Sequence, residues 1–152
     1  MRDPHKLPRR LRRLPAIWTE HESPRFFLTI CTADRETVLA NPTIHERLLE
    51  FLRDSRQRYG WWAGRYVLMP DHIHLLAART QNAVALGAWV KALKSVVSRR
   101  EFRWETGFFD HVLRNRESEW EKWEYIRQNP VRAGLVKTPE EWPFAGELSE
   151  SL

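Results

Sequence analysis

With 152 residues, 42% of them hydrophobic and 30% charged, the chain suits one compact globular domain and fits neither a disordered nor a membrane protein. No apolar run approaches the roughly 18 residues that cross a bilayer. The start, Met1-Arg-Asp-Pro-His, carries no secretory signal, and the lone Cys31 allows no internal disulfide, which fits a reducing cytoplasm. The net charge of +5 is concentrated in residues 1–13, where Arg2, Lys6, Arg9, Arg10, Arg12 and Arg13 stand against one acid, Asp3; the rest of the chain balances at 19 basic and 19 acidic residues. A basic arm on a balanced body suggests a polyanion partner, although charge alone describes a solubilising tail equally well.

In chain order, residues 1–15 read as a flexible arm rich in Arg, Lys and Pro. Residues 26–32 are rich in β-formers and predict a first strand. Asn41 as N-cap and Pro42 at the first helical position open a helix whose apolar stripe is Ile44, Leu48, Phe51 and Leu52, ending near Tyr59 and Gly60. Residues 62–69 predict a second strand, Pro70 and Asp71 a tight turn, and 72–78 a third strand that closes a hairpin. A second helix is expected over about residues 84–101, a short fourth strand over 108–113, and a third helix from about 117 to 129, stopped by Pro130. The order β-α-β-β-α-β-α describes an α+β, ferredoxin-like antiparallel sheet with helices on one face and the third helix added to that core. The expected organisation is an arm at 1–15, one domain at 16–146 and a short acidic tail at 147–152.

Two constellations carry chemistry. His72 and His74 are two apart on a strand, so both imidazoles project from one side while Ile73 and Leu75 point to the other. Such a pair can hold one metal ion, but an H-x-H by itself is a weak signal. A structural zinc site would need four N or S ligands, and one cysteine speaks against it; an open, catalytic site is the better fit. The second constellation lies on the third helix. At about 100° per residue, with Trp120 at zero, Trp123 falls near 300° and Ile126 near 240°, whereas Tyr125 falls near 140° and Asn129 near 180°. The tryptophans are therefore expected to form the buried stripe, with Tyr125 and Asn129 together on the polar side. A phenol next to a metal gains phenolate character and can attack a phosphodiester, and the covalent phosphotyrosine conserves the bond energy for rejoining.

Three stretches carry a family resemblance: Tyr66-Val-Leu-Met-Pro-Asp-His-Ile-His-Leu-Leu76, Gly107-Phe-Phe-Asp-His-Val-Leu-Arg114, and Tyr125-Ile-Arg-Gln-Asn-Pro-Val-Arg-Ala-Gly-Leu-Val136. In this order they resemble the HUH-type single-strand endonucleases, specifically the REP-associated tyrosine transposases. The resemblance covers about residues 9–145 and implies a ferredoxin-like, Mg²⁺- or Mn²⁺-dependent strand-cleaving and strand-joining enzyme. It implies Tyr125 as nucleophile, linked to the 5′ end of the cut strand, and His72, His74 and Asn129 as metal ligands. Its implied partner is single-stranded or hairpin DNA derived from short palindromic repeats, bound by a monomer or homodimer in the bacterial cytoplasm, at the nucleoid and away from membranes. The family commonly has Asn where this chain has Asp71.

Candidate DNA contacts are Arg9, Arg10, Arg12 and Arg13 in the arm, and Lys91 and Lys94 on one face of the second helix. Trp61 or Trp62 is a candidate for stacking on an unpaired base. Asp110 and His111 belong to a matching stretch but take no role from the sequence. Two other readings compete: a domesticated binder of structured single strands that does not cut, and an RNA-binding ferredoxin-like protein. The second would place exposed aromatics on the central strands, where this chain has histidines.

Overall fold

The computed structural model describes residues 24–148. Its elements are β1 (Arg25–Cys31), α1 (Pro42–Tyr59), β2 (Trp61–Leu68), β3 (His72–Arg79), α2 (Leu86–Ser98), β4 (Phe109–Leu113), α3 (Arg116–Arg127), α4 (Asn129–Arg132) and β5 (Ala145–Glu147), with 3₁₀ turns at Ala33–Arg35 and Pro139–Glu141. The sheet order is β4-β1-β3-β2-β5, with every neighbouring pair antiparallel. Its first four strands have the order expected of a ferredoxin-like sheet. No helix among the described residues is long and apolar enough to cross a membrane.

The helix boundaries follow from local chemistry. The Asn41 side chain accepts from the Ile44 N–H at 3.0 Å, and α1 ends at Gly60, whose φ of +78° suits glycine. A Cβ at Gly60 would also lie 2.6 Å from Ala83 Cα, so the position is closed to larger residues. Helix α2 stops at Ser98, short of the expected 101, because Arg99 and Arg100 turn into the left-handed region at φ 47° and 66°.

Helices α1 and α2 pack on one face of the sheet. Ile44, Leu48, Phe51 and Leu52 from α1 meet Trp89, Val90, Leu93 and Val97 from α2 over Leu28, Ile30, Ile73, Leu75 and Ala77. Trp61 stacks on Trp89 with ring centroids 5.5 Å apart, and the Trp89 indole donates to Ser55 Oγ at 3.0 Å. The β2–β3 register shifts between Ala63 and Arg65. That extra residue swaps the alternation of β2, so Trp61 and Ala63 before the bulge and Tyr66 and Leu68 after it all join this core.

Helix α3 covers part of the opposite face. Trp123 and Ile126 are buried there with Val67, Met69, Leu76 and Leu113. Three features differ from the sequence reading. Trp120 is 41% exposed, so the buried stripe of α3 is Trp123 and Ile126, not the two tryptophans. The Arg65 guanidinium covers the Trp120 ring at 5.7 Å instead. Pro130 does not end the third helix: α3 ends at Arg127, and Pro130 sits in the first turn of α4, where its missing N–H costs no hydrogen bond. Finally, β5 adds a fifth strand beside β2, with the Leu148 N–H donating to Gly64 O at 2.7 Å. The sheet thus runs into the stretch read as an acidic tail.

Candidate active site

The β3 alternation puts His72 and His74 on the face that α3 only partly covers, with Ile73 and Leu75 in the opposite core. The two imidazoles lie edge to face, ring centroids 4.6 Å apart. Burial lowers the His72 pKa against the pull of Asp71, and pushes His74 down to about 3, first through burial and then through the neighbouring His72. Both rings are therefore neutral at ordinary pH, the form that offers a lone pair to a metal.

The tight turn before β3 supplies the partner that orients His72. Asp71 Oδ1 lies 2.7 Å from His72 Nδ1, and Asp71 Oδ2 accepts from Arg35 Nε at 2.9 Å. Burial alone would raise the Asp71 carboxyl, but the Arg35 and His72 hydrogen bonds outweigh it and hold it below its ordinary range. With Nδ1–H donating to Asp71, His72 presents Nε2 as its free lone pair. His74 Nδ1 lies 3.1 Å from Thr29 Oγ1, and its ring stacks on Phe27 at 5.1 Å.

Helix α3 and α4 form the other wall. A cleft of about 480 Å³ opens between His72, His74 and Phe27 on the sheet and Tyr125, Asn129 and Arg132 on the helices. Tyr125 is 56% exposed, so its phenol faces the cleft instead of the core. The Arg132 guanidinium sits 4.1 Å from the Tyr125 ring centroid, donates to Tyr125 O at 2.8 Å and donates to the Asn129 amide oxygen. The Lys122 ammonium lies 5.9 Å from the Tyr125 ring and 4.7 Å from that of Phe27. Two cations thus flank the phenol, an environment suited to an anionic substrate.

The structure brings together all four residues singled out as catalytic or metal-binding: His72, His74, Tyr125 and Asn129. The arm residues Arg9, Arg10, Arg12 and Arg13 lie outside the described residues. Lys91 is exposed on α2, which packs on the far side of the sheet from the cleft. Lys94 is turned inward: its ammonium donates to Glu105 O at 3.0 Å and Gly107 O at 2.7 Å, so it holds a loop and is not open to follow a phosphate backbone. Trp61 is 1% exposed and cannot stack on a base. Trp62 is half-buried, with the Arg25 guanidinium 4.9 Å above its ring. Asp110 and His111 are exposed on β4, an edge strand. Arg35, Lys122 and Arg132 were not foreseen. Lys122 precedes Tyr125 by three residues and Arg132 follows Asn129 by three, so helical spacing could have flagged those two. Arg35 reaches Asp71 only through the fold.

The family model described as "Transposase IS200 like" matches residues 23–127. The chain belongs to the IS200-like transposase family. It is 25% identical over 137 residues to a protein named "Putative REP-associated tyrosine transposase" from Haemophilus influenzae, covering 79% of this chain and 77% of that one. It is 23% identical over 126 residues to the REP-associated tyrosine transposase of Escherichia coli, covering 79% and 74%. A solved structure described as the REP-associated tyrosine transposase bound to a REP hairpin superposes with a TM-score of 0.70 at 21% identity, over 82% of this chain and 76% of that chain. A transposase-like structure from Deinococcus radiodurans matches with a TM-score of 0.51 at 22% identity, over 72% and 94%. The resemblance drawn from the three sequence stretches is therefore borne out, as is the α+β fold.

Proposed function

We propose that this chain is a single-strand DNA endonuclease and strand transferase that acts through Tyr125 on hairpin-bearing strands. The observation that carries the proposal is the cleft itself, which gathers an exposed phenol, two neutral imidazoles, an amide and two cations in a transposase-family chain. The hairpin substrate follows the relative described as bound to a REP hairpin.

The donor set fits a divalent metal. Two neutral imidazoles share a sheet face, and His72 is oriented by Asp71 as a ligand would be. Among the described residues no group of three or more His, Cys, Asp or Glu side chains forms a metal cluster. The third donor in this reading is the Asn129 amide oxygen, the ligand the family resemblance implies; it lines the same cleft and would be freed as Arg132, which donates to it here, turns to the substrate phosphate. Held by His72, His74 and Asn129, such an ion would supply Lewis-acid polarisation of a phosphate oxygen.

The chain's own residues do the rest. Lys122 and Arg132, both beside the Tyr125 ring, draw the phosphate into the cleft. Tyr125 Oη attacks phosphorus, giving up its proton to solvent. The bond from phosphorus to the 3′ oxygen breaks, a 5′-phosphotyrosine forms, and the departing oxygen takes a proton to become a 3′ hydroxyl. Reversal by another 3′ hydroxyl rejoins the strand without an external energy source.

The test is a denaturing gel after incubation with a hairpin oligonucleotide carrying single-stranded flanks, in Mn²⁺ or Mg²⁺. A covalent protein–DNA band is expected, lost in Tyr125→Phe and lost on chelation. Tight hairpin binding with no such band in either metal points instead to a non-cleaving binder.

A further inference from the structure

The cleft is not the whole of the functional face. Cross-strand registers align Phe109 of β4 with Thr29 of β1, Thr29 with His74 of β3, and His74 with Val67 of β2. Directly paired residues share a face, so Phe109 lies on the histidine side of the sheet, two strand spacings or about 10 Å from His74. Its ring is 66% exposed, although it belongs to a strand whose other end, Leu113, is buried under α3.

Beside Phe109 lies a second, smaller pocket of about 160 Å³, lined by Thr29 and Cys31 on its floor and by Glu105 and Thr106 on its wall. The wall is fixed in place. The Glu105 N–H donates to Cys31 O at 2.9 Å, Trp104 bridges to Thr32, and the Lys94 ammonium ties down the carbonyls of Glu105 and Gly107. This gives the inward turn of Lys94 a purpose: it shapes a loop next to the cleft. The pocket is thus prebuilt, is bordered by the Phe109 ring, and carries one carboxylate acceptor and the hydroxyls of Thr29 and Thr106.

We infer that this pocket holds one unpaired nucleobase of the strand whose phosphate lies in the cleft, stacked on Phe109 and read through its amino group by Glu105. The inference rests on the proposed single-strand cleavage site. Three observations favour a base over other occupants. The pocket has the size of a single ring system and not of a helix stem. It lies in the same cross-strand row as His74, close enough for a neighbouring nucleotide of one strand. Its aromatic-plus-acceptor chemistry is that of base recognition, stacking for affinity and a hydrogen bond for identity. A carboxylate accepts from the exocyclic amino group of adenine, cytosine or guanine, whereas thymine has no such group to offer. A phosphate in this pocket would face Glu105 and is disfavoured.

The test is a binding scan with the full chain. A labelled hairpin oligonucleotide is made with an abasic site at each flank position in turn, and affinity is measured by fluorescence anisotropy alongside the covalent-adduct gel. One position is expected to weaken binding about 5- to 100-fold when abasic, the range for loss of one base–aromatic stack. Phe109→Ala should weaken the intact strand by a similar factor and abolish the cost of the abasic site at that position only. At that same position, adenine, cytosine or guanine should bind about tenfold better than thymine, and Glu105→Gln should narrow the gap, because an amide both donates and accepts. Phe109 is exposed, so its replacement leaves the fold intact, which an unchanged circular dichroism melt would verify. Abasic costs that are the same in wild type and Phe109→Ala at every position overturn the inference, whether or not an adduct forms. Coupling between Phe109 and one base without any adduct would overturn the cleavage mechanism and leave the pocket standing.

Discussion

On one face of the sheet, α1 and α2 close over the side chains that β1, β2 and β3 present, down to a stacked Trp61–Trp89 pair. On the other, α3 covers Val67, Leu76 and Leu113 but leaves His72, His74 and Phe109 beside open space. The first face has the continuous packing that gives stability. The second gives up part of that packing to keep polar groups ordered and accessible. Stability and chemistry are thus separable by face, and substitutions should sort accordingly.

The largest contrast is between Tyr125 and Trp89. Tyr125→Phe should reduce adduct formation by at least about a thousandfold, because no other phenol lines the cleft and the nucleophile is removed outright. Its melting temperature should stay at the wild-type value, since the hydroxyl sits on a largely exposed side chain. Trp89→Ala should do the opposite: a loss of about 3–5 kcal/mol in denaturant titration, with adduct chemistry retained in whatever fraction stays folded.

Acid should weaken the cleft face specifically. His74 is held neutral in the folded protein, with its pKa pushed down from 6.5 to about 3, and burial lowers His72 in the same direction. An unfolded chain takes up protons on these rings below pH 6.5 and the folded chain does not. Their contribution to stability is therefore complete above pH 6.5 and is lost as pH falls towards 3. Urea titrations across that window should show stability falling with pH, and His74→Gln should flatten the slope. A slope unchanged by that substitution would mean His74 is not buried as described.

The smallest expected effect belongs to Asp71→Asn. The amide oxygen still accepts from His72 Nδ1, but the charge and the ion pair to Arg35 are gone. We expect about a tenfold rise in the metal concentration needed for half-maximal adduct formation, the low end for loss of a ligand-orienting partner. An unchanged metal requirement would show that Asp71 serves the turn and not the site.

Much of this was legible in one dimension. Asn41 and Pro42 announced the start of α1 because capping is local chemistry. The alternation around His72 and His74 assigned both to one face because strand geometry has period two. Tyr125 and Asn129 were paired by helical spacing. Trp120 was misjudged because the period of a helix says which residues share a face, not where on that face its neighbour ends. β5 was missed because three residues carry no periodicity, and its pairing to β2 is decided by a partner some 80 positions away.

The sequence by itself determined the element order as far as the third helix, the antiparallel α+β architecture, and the pairing of His72 with His74 and of Tyr125 with Asn129, since each depends on backbone geometry repeating over a few positions. Only the tertiary structure decided which sheet face α3 covers, how far it covers it, and that Arg35, Lys122, Arg132 and Phe109 gather around the exposed remainder. Those outcomes depend on packing between segments distant in the chain, where the burial of Trp123 and Ile126 sets the helix and its polar edge is left facing the histidines.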